Sequence, residues 1–391
     1  MLIARTRQGN WVSWANYTNQ EQLRNVRQKE NYYCPECNEE VILKIGSKRI
    51  PHFAHKKRTV CMESYERESE YHLAGKLSLY KWLKRQGIEA TLEKFDPRVG
   101  QRPDIEFVYS GSQYAIEYQC SNIPVELFIK RTINFQQANI IPIWIMAGKN
   151  IKRQGNSRAS LSGFDYLFLR KSHQNNWIIP SFCPLTNTLI VMNKITPVSV
   201  KNIITSFTIK NLTNVTLSDL VHPKSTSLQL KDWRTEIKKW KNTVAIYGTP
   251  KNRFLQQLYA SSLIPQFLPP AIGLPVSHSP YIETSPIQWQ SYLFIDVLLK
   301  KEYFSLEEIF HSVKMRVRNQ DVRIRRLPLS PNNNFNTAVK EYLDLLIKTN
   351  MIRKINHRHF KIENPIIMAD NVMRQEEIEQ SFYQKFSKYL K

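Results

Sequence analysis

A chain of 391 residues, 42% of them hydrophobic, is long enough for two or three folded domains, which excludes a disordered tail. Its formal net charge of +23 favours a polyanionic partner, because each phosphate that a protein neutralises releases condensed counterions. Five cysteines are too few for a disulfide framework, and the N-terminus lacks the apolar core of a signal peptide. Without a run of about 18 apolar residues, the sequence predicts a cytoplasmic protein with no membrane-spanning helix.

The first predicted elements are a short hairpin and a compact metal-binding module. The hairpin joins residues 2–6 to residues 11–14 through a turn at Gly9 and Asn10. The module follows within residues 31–61, which are rich in cysteine and histidine. In a cytoplasmic protein such cysteines bind metal more often than they oxidise.

The module contains the sequences CPEC, from Cys34 to Cys37, and HFAH, from His52 to His55. Two thiolates on one turn and two imidazoles on another can close a tetrahedral Zn²⁺ site. Cys61 is close enough in sequence to replace one of the histidines, so the residues alone leave the ligand set open. The alternative is a buried cysteine pair with two surface histidines. A closed four-ligand site has no open position, so we expect the zinc to be structural rather than catalytic.

A helical pattern over residues 65–85 comes next, with an apolar stripe along one face. Glu68, His72 and Lys76 recur every four residues, so they share a second face at the rim of that stripe. The simplest alternative is a solvated pair of Glu68 and His72.

An acidic pair is associated with two strand-like runs that are separated by Ser110, Gly111 and the neighbouring serine and glutamine. If Ser110 and Gly111 form the whole loop, Asp104 lies opposite Glu117, with Gln119 on the same face. Like charges so placed weaken a sheet unless they share a cation, and two carboxylates suit Mg²⁺. The alternative is two unconnected surface acids.

The order of elements around this pair indicates an α/β domain. The strand-like runs cover residues 105–109 and 114–120, and a helix opening at Pro124 follows them. Residues 140–146 are almost entirely apolar and predict a buried strand.

The C-terminal third is set apart by prolines concentrated over residues 263–286, which indicate a linker. Helices are predicted over residues 286–300, from a capping box at Ser305, and over residues 335–349, before a basic hairpin at residues 351–362. This order favours a winged-helix DNA-binding module, with a helical bundle bearing a solvated basic surface as the alternative. The candidate DNA contacts in the basic loop before the third helix are Arg316, Arg318, Arg323, Arg325 and Arg326.

The order of these motifs resembles the CoiA family of competence proteins. CPEC, HFAH, a Glu-Ser-x-x-His-x-x-x-Lys helix, an aspartate and then Glu-x-Gln-Cys-Ser occur in that family's order. Arg131-Thr132 and Ile143-Trp144-Ile145 continue the resemblance, which is dense over residues 1–150 and looser to about residue 250. The resemblance implies a PD-(D/E)XK restriction-endonuclease-like core that processes imported DNA for recombination during natural transformation.

The resemblance also implies roles for the acidic residues. Asp104 and Glu117 would hold Mg²⁺ or Mn²⁺, and Glu68 would complete the acidic cluster. Gln119 stands where the wider nuclease superfamily usually has a lysine that positions the attacking water. Glutamine supplies no positive charge, so Lys76 is the candidate to take over that electrostatic role.

Three further side chains are candidate substrate contacts. His72 would orient a phosphate or a water. The planar guanidinium of Arg131 would hold an adjacent phosphate, and Arg102 is the weaker candidate for that contact. Either arginine is otherwise an ordinary surface cation.

The predicted fold is therefore α/β and has four parts. An N-terminal hairpin with a zinc-finger-like module spans residues 1–62, and the nuclease core spans residues 63–150. A middle region covers residues 151–262, and a mainly helical, basic domain covers residues 287–391.

We expect a Mg²⁺-dependent nuclease acting on single-stranded, branched or duplex DNA together with the recombination machinery. The alternative is a DNA-binding accessory without turnover that delivers DNA to a recombinase, which Gln119 favours. A third possibility, a zinc-stabilised transcription regulator, requires tight binding to one duplex sequence, whereas the first two predict structure-dependent binding with a steep salt dependence.

Overall fold

The computed structural model describes residues 1–16, 20–46, 50–56, 61, 68–224, 226–330, 335–364 and 366–390. The strands are β1 (Ile3–Thr6), β2 (Trp11–Ser13), β3 (Tyr32–Tyr33), β4 (Glu40–Lys44), β5 (His52–His55), β6 (Ala90–Leu92), β7 (Ile105–Tyr109), β8 (Ser112–Gln119), β9 (Ile140–Ala147), β10 (Lys152–Arg153), β11 (Arg158–Ser160), β12 (Arg170–Lys171), β13 (Trp177–Cys183), β14 (Thr188–Pro197), β15 (Asn202–Asn211), β16 (Tyr303–Ser305), β17 (Ile352–Lys354) and β18 (His359–Ile362). The helices are α1 (Gln20–Lys29), α2 (Glu70–Arg85), α3 (Val125–Gln137), α4 (Leu217–Val221), α5 (Leu230–Tyr247), α6 (Arg253–Ala260), α7 (Pro286–Leu293), α8 (Leu306–Arg318), α9 (Phe335–Lys348) and α10 (Val372–Phe386).

The chain folds into two compact units of mixed α/β structure. The first unit comprises Met1–Ile151, Ile179–Val191 and Thr208–Pro223. The second unit comprises Lys152–Ile178, Met192–Phe207 and Lys224–Lys391. The strands β13, β14 and β15 therefore divide their residues between the two units.

The first unit begins with an antiparallel sheet in the order β2-β1-β3-β4-β5. The predicted hairpin is confirmed as β1 and β2, with Gly9 at a positive φ of 86° in the connecting turn. Strands β4 and β5 pair so that Val41 lies opposite His55. This pairing returns the chain to the cysteines.

The second sheet of this unit contains the predicted acidic hairpin. Ile105 pairs with Ile116 and Phe107 with Tyr114, which confirms the predicted register. Ser110 and the following glycine both have positive φ, as a two-residue type I′ loop requires. The next strand, β9, is buried along almost its whole length and pairs in parallel with β8 and with β13.

Two helices pack on this sheet. Helix α3 connects β8 to β9, and the rings of Phe128 and Trp144 stack at 3.8 Å between their centroids. Helix α2 begins at Glu70 rather than near residue 65, and residues 65–67 of the predicted helix lie outside the described part of the chain. A Cβ added at Gly75 would lie 1.9 Å from the Tyr118 ring, so glycine allows the close approach of α2 to β8.

The second unit contains the proline-rich segment, and the prediction of a linker there was wrong. Leu263, Leu268 and Leu274 are fully buried in the main apolar core of this unit. Prolines interrupt regular structure without making a segment exposed, because their rings pack as apolar surface and only the backbone donor is lost.

The predicted C-terminal elements are largely present. The first helix is shorter than expected, because α7 ends at Leu293 and continues as a π-helical turn over Phe294–Leu298. Helix α8 follows the predicted capping box, with Ser305 as the N-cap residue and Glu308 completing the box. Helix α9 leads into the predicted hairpin β17–β18, and β16 pairs with β18 in a three-stranded sheet of order β16-β18-β17.

Candidate metal sites and the acidic cluster

The acidic cluster is built around the first turns of α2. Ser69 caps this helix by accepting a hydrogen bond from the backbone N–H of His72 over 3.2 Å. The cap fixes the helix start, and Lys76 and His72 then face inward, as their burial shows. Glu68, which precedes the cap, contacts Lys76.

Lys76 is the centre of the cluster, and its side chain is only 1% exposed. Its Nζ contacts carboxylate oxygens of Glu68 and Glu93 and lies 3.4 Å from Oδ1 of Asp104. Burial lowers the pKa of Lys76, but these three carboxylates outweigh burial and raise the pKa well above its ordinary value. Glu68 also accepts a hydrogen bond from the amino group of Met1 over 2.6 Å. The three carboxylates outnumber these two cations, so the cluster has an excess of negative charge.

Asp104 is held at the start of β7. Its Oδ2 accepts a hydrogen bond from the backbone N–H of Tyr118 over 2.8 Å and lies 3.6 Å from Nε2 of His72. Burial raises the pKa of Asp104, but Lys76 and then His72 outweigh it, so the pKa lies well below its usual range. Asp104 is therefore an ionised ligand donor at neutral pH. Glu68, His72 and Asp104 offer ligand atoms that all lie within 4.8 Å of one another.

Glu93 is a member of this cluster that our sequence interpretation missed. It follows β6 and adopts a positive φ of 45°, and its side chain is 1% exposed. Its carboxylate also accepts a hydrogen bond from the backbone N–H of Leu2 over 2.7 Å. Leu92 pairs with Ile105, so the register of β6 on β7 places Glu93 beside Asp104. A predicted strand at β6 would have located Glu93 only together with the pairing of β6 on β7.

Glu117 and Gln119 lie nearby on β8 but make other contacts. The Glu117 carboxylate is buried and accepts a hydrogen bond from Arg131 over 2.7 Å. The side-chain amide of Gln119 donates to the carbonyl of Ser121 over 2.9 Å. The register of β7 on β8 extends to place Asp104 opposite Glu117, as predicted. The ligand atoms that lie within 4.8 Å of those of Asp104 belong to Glu68 and His72.

The two arginines predicted to hold phosphates are also engaged in ion pairs. Arg131 binds Glu117, and its guanidinium lies over the ring of Trp144. Nε of Arg102 lies 2.9 Å from Oε1 of Glu36, with which it forms an ion pair.

A second cluster contains three cysteines and one histidine. The ligand atoms of Cys34, Cys37, His55 and Cys61 all lie within 4.8 Å of one another, and Cys37 Sγ is 3.3 Å from Nε2 of His55. Bonds of about 2.3 Å in a tetrahedral site put neighbouring ligand atoms about 3.7 Å apart. The four side chains therefore fit a tetrahedral metal ion.

His52 does not belong to this cluster, and the geometry of strand β5 explains why. His52 and His55 lie three residues apart on β5, and side chains at odd spacing leave a strand on opposite faces. Nδ1 of His52 donates to the carbonyl of Ile50 over 2.9 Å. His52 instead lines a cavity of about 260 Å³ together with Glu68. The sequence leaves open which histidine Cys61 could replace. In the structure Cys61 lies with the two CPEC cysteines and His55, so it takes the place of His52.

Comparison with known proteins covers both clusters. Family models described as competence protein CoiA match the chain in three segments: the N-terminal domain over residues 15–64, the nuclease-like domain over residues 68–225 and the C-terminal domain over residues 228–378. This chain belongs to the CoiA family. The competence protein CoiA of Bacillus subtilis (strain 168) is 29% identical over 344 residues, which cover 86% of this chain and 91% of that protein. No solved structure matches the chain.

The two clusters fall into different CoiA domains. Cys34, Cys37, His55 and Cys61 lie in the segment that matches the CoiA N-terminal domain. Glu68, Glu93 and Asp104 lie in the segment that matches the CoiA nuclease-like domain.

The predicted DNA contacts of the CoiA C-terminal segment differ in their surroundings. Helix α8 extends to Arg318, so the basic stretch is partly helical rather than a loop. Arg316 is 14% exposed and binds Asp296 over 2.6 Å and Asp321 over 2.9 Å. Arg325 is buried.

The remaining predicted contacts of this CoiA segment lie at the surface. Arg318, Arg323 and Arg326 are exposed, and Arg323 lies 3.1 Å from Glu283. Arg325, by contrast, donates to the backbone carbonyls of Pro280 and Ile282.

Among the described residues, no helix of this CoiA-family chain has the length and apolar character to cross a membrane.

Proposed function

We propose that this chain is a metal-dependent DNA nuclease of natural competence and that the acidic cluster is its active site. The observation that carries the proposal is the burial of the Lys76 ammonium among the carboxylates of Glu68, Glu93 and Asp104. Such a concentration of buried charge is costly for folding, and it is typical of sites that bind charged ligands. The match of this segment to a nuclease-like domain supports DNA as the substrate.

The donor set favours Mg²⁺ or Mn²⁺. Carboxylate oxygens are the ligands that these hard cations prefer, and Asp104 and Glu68 are the residues that would hold the ion. When bound, the ion would polarise the scissile phosphate and lower the pKa of a coordinated water. His72, within 3.6 Å of Asp104, is placed to orient that carboxylate or a water.

Lys76 is the candidate for the cation that this class of nuclease places beside the reacting phosphate. The Gln119 amide, which occupies the usual lysine position, is committed to the Ser121 carbonyl. Lys76 reaches the same carboxylate cluster from α2 and carries a positive charge at neutral pH. We infer that the ammonium stabilises negative charge that develops on the phosphate.

The surrounding folds support two further parts of the proposal. An antiparallel hairpin, a helix and a parallel strand, in the order β7-β8-α3-β9, are consistent with a PD-(D/E)XK core. In the C-terminal segment, α7, β16, α8 and α9 precede the hairpin β17–β18, an order consistent with a winged-helix module that binds DNA.

The three thiolates and one imidazole of the N-terminal segment suit structural Zn²⁺.

Cleavage of labelled DNA tests the proposal. Wild type, Asp104→Asn and the control Asp96→Asn are incubated with single-stranded, duplex and branched DNA, with and without Mg²⁺ or Mn²⁺. Asp96 is a buried aspartate of the same unit that pairs with Arg98 outside the cluster. We expect metal-dependent cutting by wild type and Asp96→Asn, and a loss of at least 100-fold in Asp104→Asn, about 2.7 kcal/mol of transition-state stabilisation.

The second candidate function is a DNA-binding accessory without turnover that delivers DNA to a recombinase. Two observations favour it. Gln119 supplies no cation, and Arg131 is paired with Glu117. Binding of DNA by wild type with no cutting of any substrate would select this function over the nuclease.

A further inference from the structure

A buried ion pair links the cysteine cluster to the acidic cluster. Glu36 lies between Cys34 and Cys37 in the CPEC turn, and its Oε1 forms an ion pair with Nε of Arg102 over 2.9 Å. The two side chains are 13% and 9% exposed. The other carboxylate oxygen of Glu36 lies 3.9 Å from Sγ of Cys61. Glu36 therefore belongs to the cysteine cluster in position, although it offers no ligand atom to it.

Arg102 belongs equally to the acidic cluster. Arg102 and Pro103 immediately precede Asp104, and the proline ring restricts the backbone between the arginine and the aspartate. The carbonyl oxygen of Arg102 lies 3.4 Å from Nη2 of Arg131, the same nitrogen that binds Glu117. The segment that carries Asp104 is thus held from both sides.

The charge of Arg102 also acts on the acidic cluster. Burial raises the pKa of Glu93, but Lys76 outweighs it, and Arg102 adds to the lowering. Arg102 is therefore close enough to influence a residue of that cluster.

This placement conflicts with a direct role of Arg102 in holding DNA. An arginine that binds a phosphate would have to give up its ion pair with Glu36. The pair connects the CPEC turn to the segment that carries Asp104. A metal ion in the cysteine cluster would fix the CPEC turn, because folding and metal binding of such modules are coupled.

We propose that Glu36 and Arg102 are positioning residues through which the Cys34–Cys37–His55–Cys61 module holds Asp104 in place to bind a divalent cation. The inference rests on the proposed function of the acidic cluster. It makes the N-terminal module a structural part of the active site rather than a separate DNA-binding finger. Substitution of Glu36 or Arg102 should then lower the affinity of the acidic cluster for a divalent cation, although neither residue is a ligand in that cluster.

The test is Mn²⁺ binding to the full chain, followed by the electron paramagnetic resonance signal of free Mn²⁺. The variants are Glu36→Gln, Arg102→Met and the double variant, with Asp104→Asn as the site control. Glu40→Gln is the matched control, because Glu40 lies in the same module but pairs with Lys56 at the surface. Zinc content and thermal midpoint are measured on every preparation, so a variant that loses its fold or its zinc is recognised. Arg102→Lys replaces either variant that fails to fold.

We expect Glu36→Gln and Arg102→Met each to keep zinc and to weaken Mn²⁺ binding at least tenfold. The double variant should bind Mn²⁺ no more weakly than whichever single variant has the lower affinity, because both substitutions remove the same interaction. Full Mn²⁺ affinity in zinc-loaded Glu36→Gln and Arg102→Met would overturn the inference. If wild type and Asp104→Asn bind Mn²⁺ equally weakly, the proposed function fails first, and the inference fails with it.

Discussion

The ammonium nitrogen of Lys76 lies 3.4 Å from a carboxylate oxygen of Asp104, although one residue is on helix α2 and the other precedes strand β7. This contact joins the helix motif and the hairpin motif that the sequence shows separately. Because Lys76 also contacts Glu68 and Glu93, it is the residue on which the charge balance of the cluster depends.

Replacing Lys76 with methionine should destabilise the protein. Glu68, Glu93 and Asp104 would each lose a contact with this cation, although Glu68 would keep the Met1 amino group. Breaking a buried ion pair typically costs about 3–5 kcal/mol. Urea denaturation measures the loss, and Mn²⁺ should restore part of it by binding the carboxylates. Lys81→Met, at an exposed position on the same helix, is the control and should be nearly neutral. An unchanged free energy of unfolding in Lys76→Met would show that the cluster does not depend on this ammonium.

The stability that Asp104 contributes should depend on pH in the acid range. Its pKa in the folded chain is depressed by Lys76 and His72 below the value of about 3.9 expected in the unfolded chain. A group with a depressed pKa contributes stability fully above the unfolded value and loses it as the pH falls through the folded value. The difference in unfolding free energy between wild type and Asp104→Asn should therefore be constant from pH 7 to about pH 5 and shrink below about pH 4. Because Lys76 is the main group that lowers this pKa, the same comparison in Lys76→Met should lose most of its pH dependence.

The two histidines of the HFAH sequence should differ in zinc binding. His55 lies with the three cysteines, whereas His52 leaves the opposite face of β5. Metal analysis after dialysis should find zinc retained in His52→Ala and lost or weakly held in His55→Ala and Cys61→Ser. Cys183→Ser, at a cysteine outside the cluster, serves as the control. Zinc loss in His52→Ala with retention in Cys61→Ser would reverse the assignment.

The basic residues of the C-terminal segment should separate into two classes. Arg318 is exposed, so Arg318→Ala should weaken DNA binding and reduce the slope of log affinity against log salt concentration by about one. Arg325 donates to buried carbonyls, so Arg325→Met should lower the thermal midpoint instead. Equal salt slopes for wild type and Arg318→Ala would remove this arginine from the DNA interface.

The hairpin that precedes the helix α3 could be predicted because its loop fixes its register. Ser110 and Gly111 allow a two-residue turn, and one such turn determines every pair in the ladder. Strand parity could likewise have separated His52 from His55, but that requires knowing that HFAH is a strand rather than a turn.

Other features depend on contacts between distant residues and have no local signal. Glu93 joins the cluster only through the pairing of β6 with β7. The burial of Arg325 and the ion pairs of Arg316 come from tertiary packing, which a count of basic residues does not reveal. The prolines alone indicate a linker for the same reason, since the burial of that segment is set by the rest of the second unit.

Diffraction from crystals soaked in Mn²⁺, recorded at a wavelength where manganese scatters anomalously, tests the central claim most directly. We predict an anomalous peak at about 2.0–2.5 Å from carboxylate oxygens of Asp104 and Glu68, and none at this position in Asp104→Asn crystals. Wild-type crystals in which manganese binds elsewhere, or in which the carboxylates contact only Lys76 at saturating Mn²⁺, would contradict the assignment of the acidic cluster as a metal-dependent active site.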